Sequence, residues 1–347
     1  MEPTSTTPAL TVQQSDGPTN GPRRPRSPRT QRRDTQRSDR TPPPGTPPHW
    51  HTGHPTLGPG DARAAERFLR ATAPTPTTCP ALLHAARVLL HTGHPRRTAT
   101  WCAKLHQRAR TPDWATAFRA LRSEALLHLG DLTAAEHEAA EAQHATAPRP
   151  TTLLLWPTAV RAQALIAQGR YEEAAAHLGP PAPAPAWPAA PWLRAHGRLD
   201  LAAHRHQEAL DTFRATGSLA LRHGAGRLPH LPWRADMAET LLRCGRTDQA
   251  RALLTEELAL PAIGPRHRGT ALRLLAATDD SDRRPGTLAR AIGELRDCED
   301  RVELARAMAD LAHALDTLGE ASATGFLRRA TDLAADCGLS SAALAAP

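Results

Sequence analysis

Aromatic residues make up only 3% of this 347-residue chain, with one tyrosine, four phenylalanines and seven tryptophans. Hydrophobic residues are still 40% of it, so any core must be built mostly from Ala and Leu. That composition suits closely packed helices and argues against a β-sandwich, which draws on β-branched and aromatic side chains. Lysine occurs once, at Lys104, asparagine once, at Asn20, and isoleucine is almost absent. These scarce residues share AT-rich codons, which points to a gene from a high-GC bacterium and makes Arg the default cation. No apolar run approaches the ~20 residues of a membrane-spanning helix, and no signal peptide is evident, so a cytoplasmic protein without membrane contact is expected.

The single lysine also excludes a G-x-x-x-x-G-K-[ST] phosphate loop, because Lys104 follows Trp101-Cys102-Ala103. No G-x-S-x-G elbow occurs, and Ser218, Ser340 and Ser341 stand in no catalytic context. The five cysteines, Cys79, Cys102, Cys244, Cys298 and Cys337, are scattered and include no C-x-x-C pair. Reduced, mostly buried thiols are expected. The motif HTGHP occurs twice, at His51–Pro55 and His91–Pro95. Two H-x-x-H pairs would suffice for a metal. Their spacing of 40 residues fits a decayed repeat better. Asp279, Asp280 and Asp282 lack the Gly and terminal Glu of a calcium loop and read as a solvated turn. No catalytic, cofactor-binding or metal-binding residue is therefore expected, and the protein reads as non-enzymatic.

Residues 1–60 hold eight Arg against Glu2, Asp16, Asp34 and Asp39, which is half of the formal net charge of +8. This Pro-, Thr- and Arg-rich tail has too few apolar residues to offset chain entropy and is expected to be disordered. Residues 61–347 read as a helical-repeat domain with a Pro/Ala linker near 180–191. After a short helix at Ala62–Ala71, helices come in pairs: Ala81–Leu90 with Arg97–Arg108, then Ala115–Leu129 with Thr133–Ala145. Thr152–Gln168 pairs with Tyr171–Leu178, where Pro157 should kink the first helix or make it begin late. Trp192–Ala203 pairs with Gln207–Arg222. Two helices within Leu231–Leu260 follow, the first with a Trp233/Met237/Leu241 stripe, the second with Ala250, Leu253, Leu254 and Leu258 on one face. Arg266–Ala276 pairs with Thr287–Arg296, and Arg301–Leu318 with Thr324–Ala335. Thr133/Glu136 and Asp300/Glu303 have capping-box spacing.

The turns are periodic. Gly93, Gly130 and Gly169 lie 37 and 39 residues apart, and His204 and Gly245 take the next equivalent places. Five residues after each of Gly130, Gly169, His204 and Gly245 stands an alanine: Ala135, Ala174, Ala209 and Ala250. Glycine tolerates the left-handed turn that ends a first helix, and alanine lets the second approach closely. Such recurrence predicts an all-α, tetratricopeptide-like α-solenoid of about seven antiparallel helix pairs, stacked as a curved rod.

QGRYEEAAAHL (Gln168–Leu178) and CGRTDQARALL (Cys244–Leu254) resemble the turn and second helix of tetratricopeptide repeats. Across Ala190–Gly338, APWLRAHGRLDLA, LPWRADMAETLLRCGRTDQARALLTEELAL and RVELARAMADLAHALDTLG follow in order. This region resembles the C-terminal helical repeats of large LuxR-family, MalT-like bacterial transcriptional regulators. Those proteins join a P-loop ATPase, a helical sensor and a helix-turn-helix. The ATPase motif is missing here, and the twelve residues after Ala335 are too few for a helix-turn-helix. The resemblance thus implies a sensor or interaction module alone, acting in transcription regulation by pairing with a complete regulator.

First helices of a solenoid usually line its concave surface. Trp192 and Trp233 each follow a Pro at such a helix, with Arg194 and Arg234 close behind, and Arg161 occupies a related place. These five residues are the candidate groove for a protein partner or a small effector. Filling gaps between helix pairs is the plainer role for both tryptophans. The alternatives are direct nucleic-acid binding through the Arg-rich tail and array, or a non-functional fragment of a larger regulator.

Overall fold

Prolines open many of the helices. In a computed structural model describing residues 62–145, 152–180, 189–222, 231–260 and 263–344, six helices carry Pro in their first two positions. Proline is tolerated there because the amide it lacks has no intrahelical partner anyway. For this reason several helices begin two or three residues earlier than the periodicity predicts. The tail, the first HTGHP copy and most of the Pro/Ala linker lie outside the described residues.

Fifteen α-helices and no strand occur among the described residues. They are α1 (Ala62–Ala71), α2 (Cys79–His91), α3 (Pro95–Arg108), α4 (Pro112–His128), α5 (Leu132–His144), α6 (Leu155–Ala167), α7 (Tyr171–Leu178) and α8 (Ala190–Ala202). After these come α9 (His206–Arg222), α10 (Trp233–Arg243), α11 (Thr247–Leu258), α12 (Pro265–Ala276), α13 (Arg284–Asp297), α14 (Arg301–Thr317) and α15 (Ala323–Cys337). From α2 onward they form seven antiparallel pairs, as the periodicity predicts. The α6 helix begins late, at Leu155, behind a 3-10 turn at Thr152–Leu154, so Pro157 falls in its first turn. Among the described residues, no helix is long and apolar enough to cross a membrane.

The recurrent turn has one geometry. Gly93, Gly130, Gly169, Gly245 and Gly319 have φ between +71° and +85°, and His204 holds the same place at +59°. The next amide then reaches back five residues, as from Asp131 to the Leu126 carbonyl and from Arg246 to Leu241. This arrangement satisfies carbonyls that the helix end leaves open. Ala135, Ala174, Ala209 and Ala250 are fully buried, so each second helix packs closely on its first.

Three local expectations are corrected. Asp131, not Thr133, caps α5: its carboxylate accepts from the Ala134 amide at 3.0 Å. Asp300 caps α14 as expected, accepting from the Glu303 amide at 2.9 Å, but the Glu303 side chain turns to arginines instead of completing the box. On α10 the buried face is Ala235, Ala238 and Leu241 together with Asp236 and Glu239, while Trp233 and Met237 flank it.

The array also coils further than a simple curved rod. Its last helices return to the turns of its first ones. Arg96 pairs with Glu299 at 3.0 Å. A methyl group on Gly264 would collide with the His91 carbonyl, and one on Gly130 would collide with the Cys337 sulfur. Val302 of α14 shares an apolar cluster with Leu127, Leu132 and Ala167.

Candidate functional site

Coiling brings the first helices of six pairs around one space. Residues of α4, α6, α8, α10, α12 and α14 line a cavity of about 70 Å³, room for a few waters. Its apolar wall includes Leu127, Ile166, Ala167, Leu274 and Val302. Its polar wall is a web of guanidinium and carboxylate groups.

Arg194 on α8 grips Asp236 on α10 through two hydrogen bonds, of 2.5 and 2.9 Å, and donates to Gln163 at 3.2 Å. Four residues on, Arg198 donates to Glu239 at 2.5 Å and to Asp236 at 3.4 Å. Arg306 donates to Glu303 at 2.6 Å, one turn apart on α14. Arg266 donates to Asp300 at 2.5 Å, and Arg273 to Asp310 at 3.0 Å. The web extends behind the cavity wall, where Arg273 and Asp300 keep only 3% and 1% of their side-chain surface.

Electrostatics follow from this packing. Burial opposes ionisation of Glu239, yet Arg198, Arg273 and Arg306 outweigh it and hold the carboxyl down at about 2. Burial also works against the charge on Glu303, but Arg306 and Arg273 hold it low. For Asp310 burial prevails and raises the carboxyl, despite Arg273. Burial likewise pushes Glu257 up to about 7, only partly offset by Arg234. Three histidines gather where the two ends of the array meet. Burial, with Arg266 adding to it, keeps His128 and His267 well below the usual imidazole range. Burial and Arg87 bring His91 down to about 3. The His91 and His267 ring centroids are 6.3 Å apart. Among the described residues, no group of three or more His, Cys, Asp or Glu side chains is arranged to hold a metal ion.

Of the five residues expected in a groove, Arg194 lines the cavity. Arg161 faces Glu136 at 3.7 Å instead. Trp192 is buried among Ala195, Leu199 and Leu165, with its ring edge-on to His196 at 4.4 Å between centroids. Trp233 lies over Gly217, where a methyl group would sit 2.6 Å from its ring. Arg234 stacks on Trp233 at 4.3 Å and faces Glu256 and Glu257 at 3.6 and 3.8 Å. Both tryptophans thus fill space between layers. Sequence reasoning missed Arg198, Asp236, Glu239, Arg266, Glu303 and Arg306. Their signal was charge pairs three or four residues apart on first helices, a pattern usually given to the solvent face.

No family model matches this chain, and no curated protein matches it. Among solved structures it is similar to a Rap protein complexed with competence and sporulation factor. That likeness has a TM-score of 0.61 at 11% identity and covers 80% of this chain and 81% of that one. At this identity it shows a shared helical-repeat fold. BtubC (BKLC) from P. vanneervenii also aligns, over 79% of this chain and 92% of that one at 13% identity, with a TM-score of 0.34, too low to define a shared fold.

Proposed function

We propose that this protein is a non-catalytic regulatory module that binds a protein segment or a small effector at its central cavity. One observation carries the reading: charged side chains from consecutive first helices converge on a space that an apolar core would fill more cheaply. Replacing a buried ion pair by packed apolar residues is often neutral or stabilising, so the fold alone does not call for this web. Each pair instead supplies oriented donors and acceptors that a polar partner can share. The fold likeness to a Rap protein complexed with competence and sporulation factor supports a factor-binding role.

In this reading the chain is cytoplasmic. It belongs functionally with LuxR-family regulators, biasing a partner's state while reading no DNA itself. Nucleic-acid binding through the array is less well supported, because the cavity arginines are already paired with carboxylates. The test is affinity capture from native extract with the full chain and with Arg198→Glu. A partner held by the wild type and lost by the variant is expected. Equal recovery by both, or recovery of none, sinks the proposal.

A further inference from the structure

The chain beyond α15 does something the repeats do not need. Gly338 ends α15 in the left-handed region at φ +71°, and the chain after it meets α6. Leu339 then packs on the cluster containing Leu127, Ala167 and Val302. The Ser340 amide donates to the Ala167 carbonyl of α6 at 3.0 Å. Ser341–Leu344 forms a 3-10 turn, and the Ala343 carbonyl accepts from Arg306 Nε of α14 at 2.9 Å. A methyl group on Gly169 would sit 2.9 Å from Ser340 Cβ, so the third turn leaves room for this segment.

Several anchors of the segment also line the cavity. Leu127, Ala167, Val302 and Arg306 all face that space. The segment thereby ties α6, in the first half of the array, to α14, in its last pair. Its release breaks two hydrogen bonds and one apolar contact, while each helix pair keeps its own core. The cavity beside it holds about 70 Å³, too little for a peptide or a drug-sized ligand.

We propose that Leu339–Leu344 is an intramolecular strap that ties α6 to α14 beside the central cavity and so holds the superhelix shut, and that its release is the step that admits a partner. The inference rests on the cavity being the binding site. Strap release reopens the seam between the first turns and the last helices, where Cys337 lies buried against Gly130.

Thiol labelling of the full-length protein, with sites located by mass spectrometry, tests this without any partner. Cys244 is exposed and serves as the fast reference, whereas Cys79, Cys102 and Cys337 are buried. In Leu339→Asp, Cys337 is expected to label at least tenfold faster, with Cys79 and Cys102 still protected. Ser340→Pro, which removes the amide that Ala167 accepts from, should do the same. Wild-type protection of Cys337 in both variants overturns the strap. So does parallel exposure of Cys79 and Cys102 in both, since that means general loosening. Capture of a partner is scored separately: faster Cys337 labelling without improved capture keeps the strap as a closure and removes the cavity as the partner's site.

Discussion

Arg194 and Asp236 stand 42 residues apart in sequence and meet in a two-pronged contact of 2.5 and 2.9 Å between α8 and α10. Asp236 keeps only 4% of its side-chain surface. Asp236→Ala strands the Arg194 guanidinium in a desolvated wall and removes the weaker of two carboxylates from Arg198, which keeps Glu239 at 2.5 Å. Loss of about 3–5 kcal/mol is expected, as for other broken buried pairs. The double replacement Arg194→Met with Asp236→Leu removes both charges and should recover much of that loss. Urea unfolding of the three proteins decides it; a double variant as unstable as Asp236→Ala would show that the pair itself stabilises the fold.

The buried histidines make stability fall in acid. His91, His128 and His267 have folded values below the ordinary 6.5, so between those values and 6.5 the unfolded chain binds more protons. Stability therefore rises with pH through this window and is lost as pH drops below 6.5. His267→Gln should flatten that slope, measured as midpoint against pH from 7 to 4. An unchanged slope would mean that the seam has already opened to water.

The helices, their turns and their pairing were legible because period and turn chemistry report local physics. Gly130 and Ala135 carry the same message in the sequence and in the structure. The cavity was not legible, because it depends on how far the array coils. That pitch arises from contacts such as Gly264 against the His91 carbonyl, which no local pattern encodes. Charge misled as well. Asp236 and Glu239 look like the wet side of α10, yet both are buried against Arg194 and Arg198 of α8. Trp192 and Trp233 are conspicuous at their helix starts and offer two readings in the sequence, ligand anchor or gap filler; their rings cover neighbouring layers, the plainer of the two.

Glu257 behaves oppositely to the histidines. Burial raises its carboxyl from 4.5 to about 7. The folded state then binds more protons than the unfolded state between these values, so this group's contribution declines as pH rises through the window. Glu257→Gln should be nearly neutral below pH 4.5 and stabilising by about 3 kcal/mol above pH 7. Thermal midpoints at pH 4 and pH 8 check it; equal effects at both would show that Glu257 is ionised throughout, held by Arg234.

Two glycines with the same backbone separate turn strain from closure of the superhelix. Gly130 and Gly245 both adopt positive φ, +77° and +71°. A methyl group on Gly245 meets open space, whereas one on Gly130 meets the Cys337 sulfur and Arg301 Cβ. Gly245→Ala should therefore cost only the left-handed penalty, about 1–2 kcal/mol. Gly130→Ala should cost that plus the displacement of α15 from the second turn. It should also free the Cys337 thiol, which Gly245→Ala should leave protected. If the two variants lose equal stability and Cys337 stays protected in both, the last helices yield without resistance, and the closed superhelix contributes nothing to the energy of the fold.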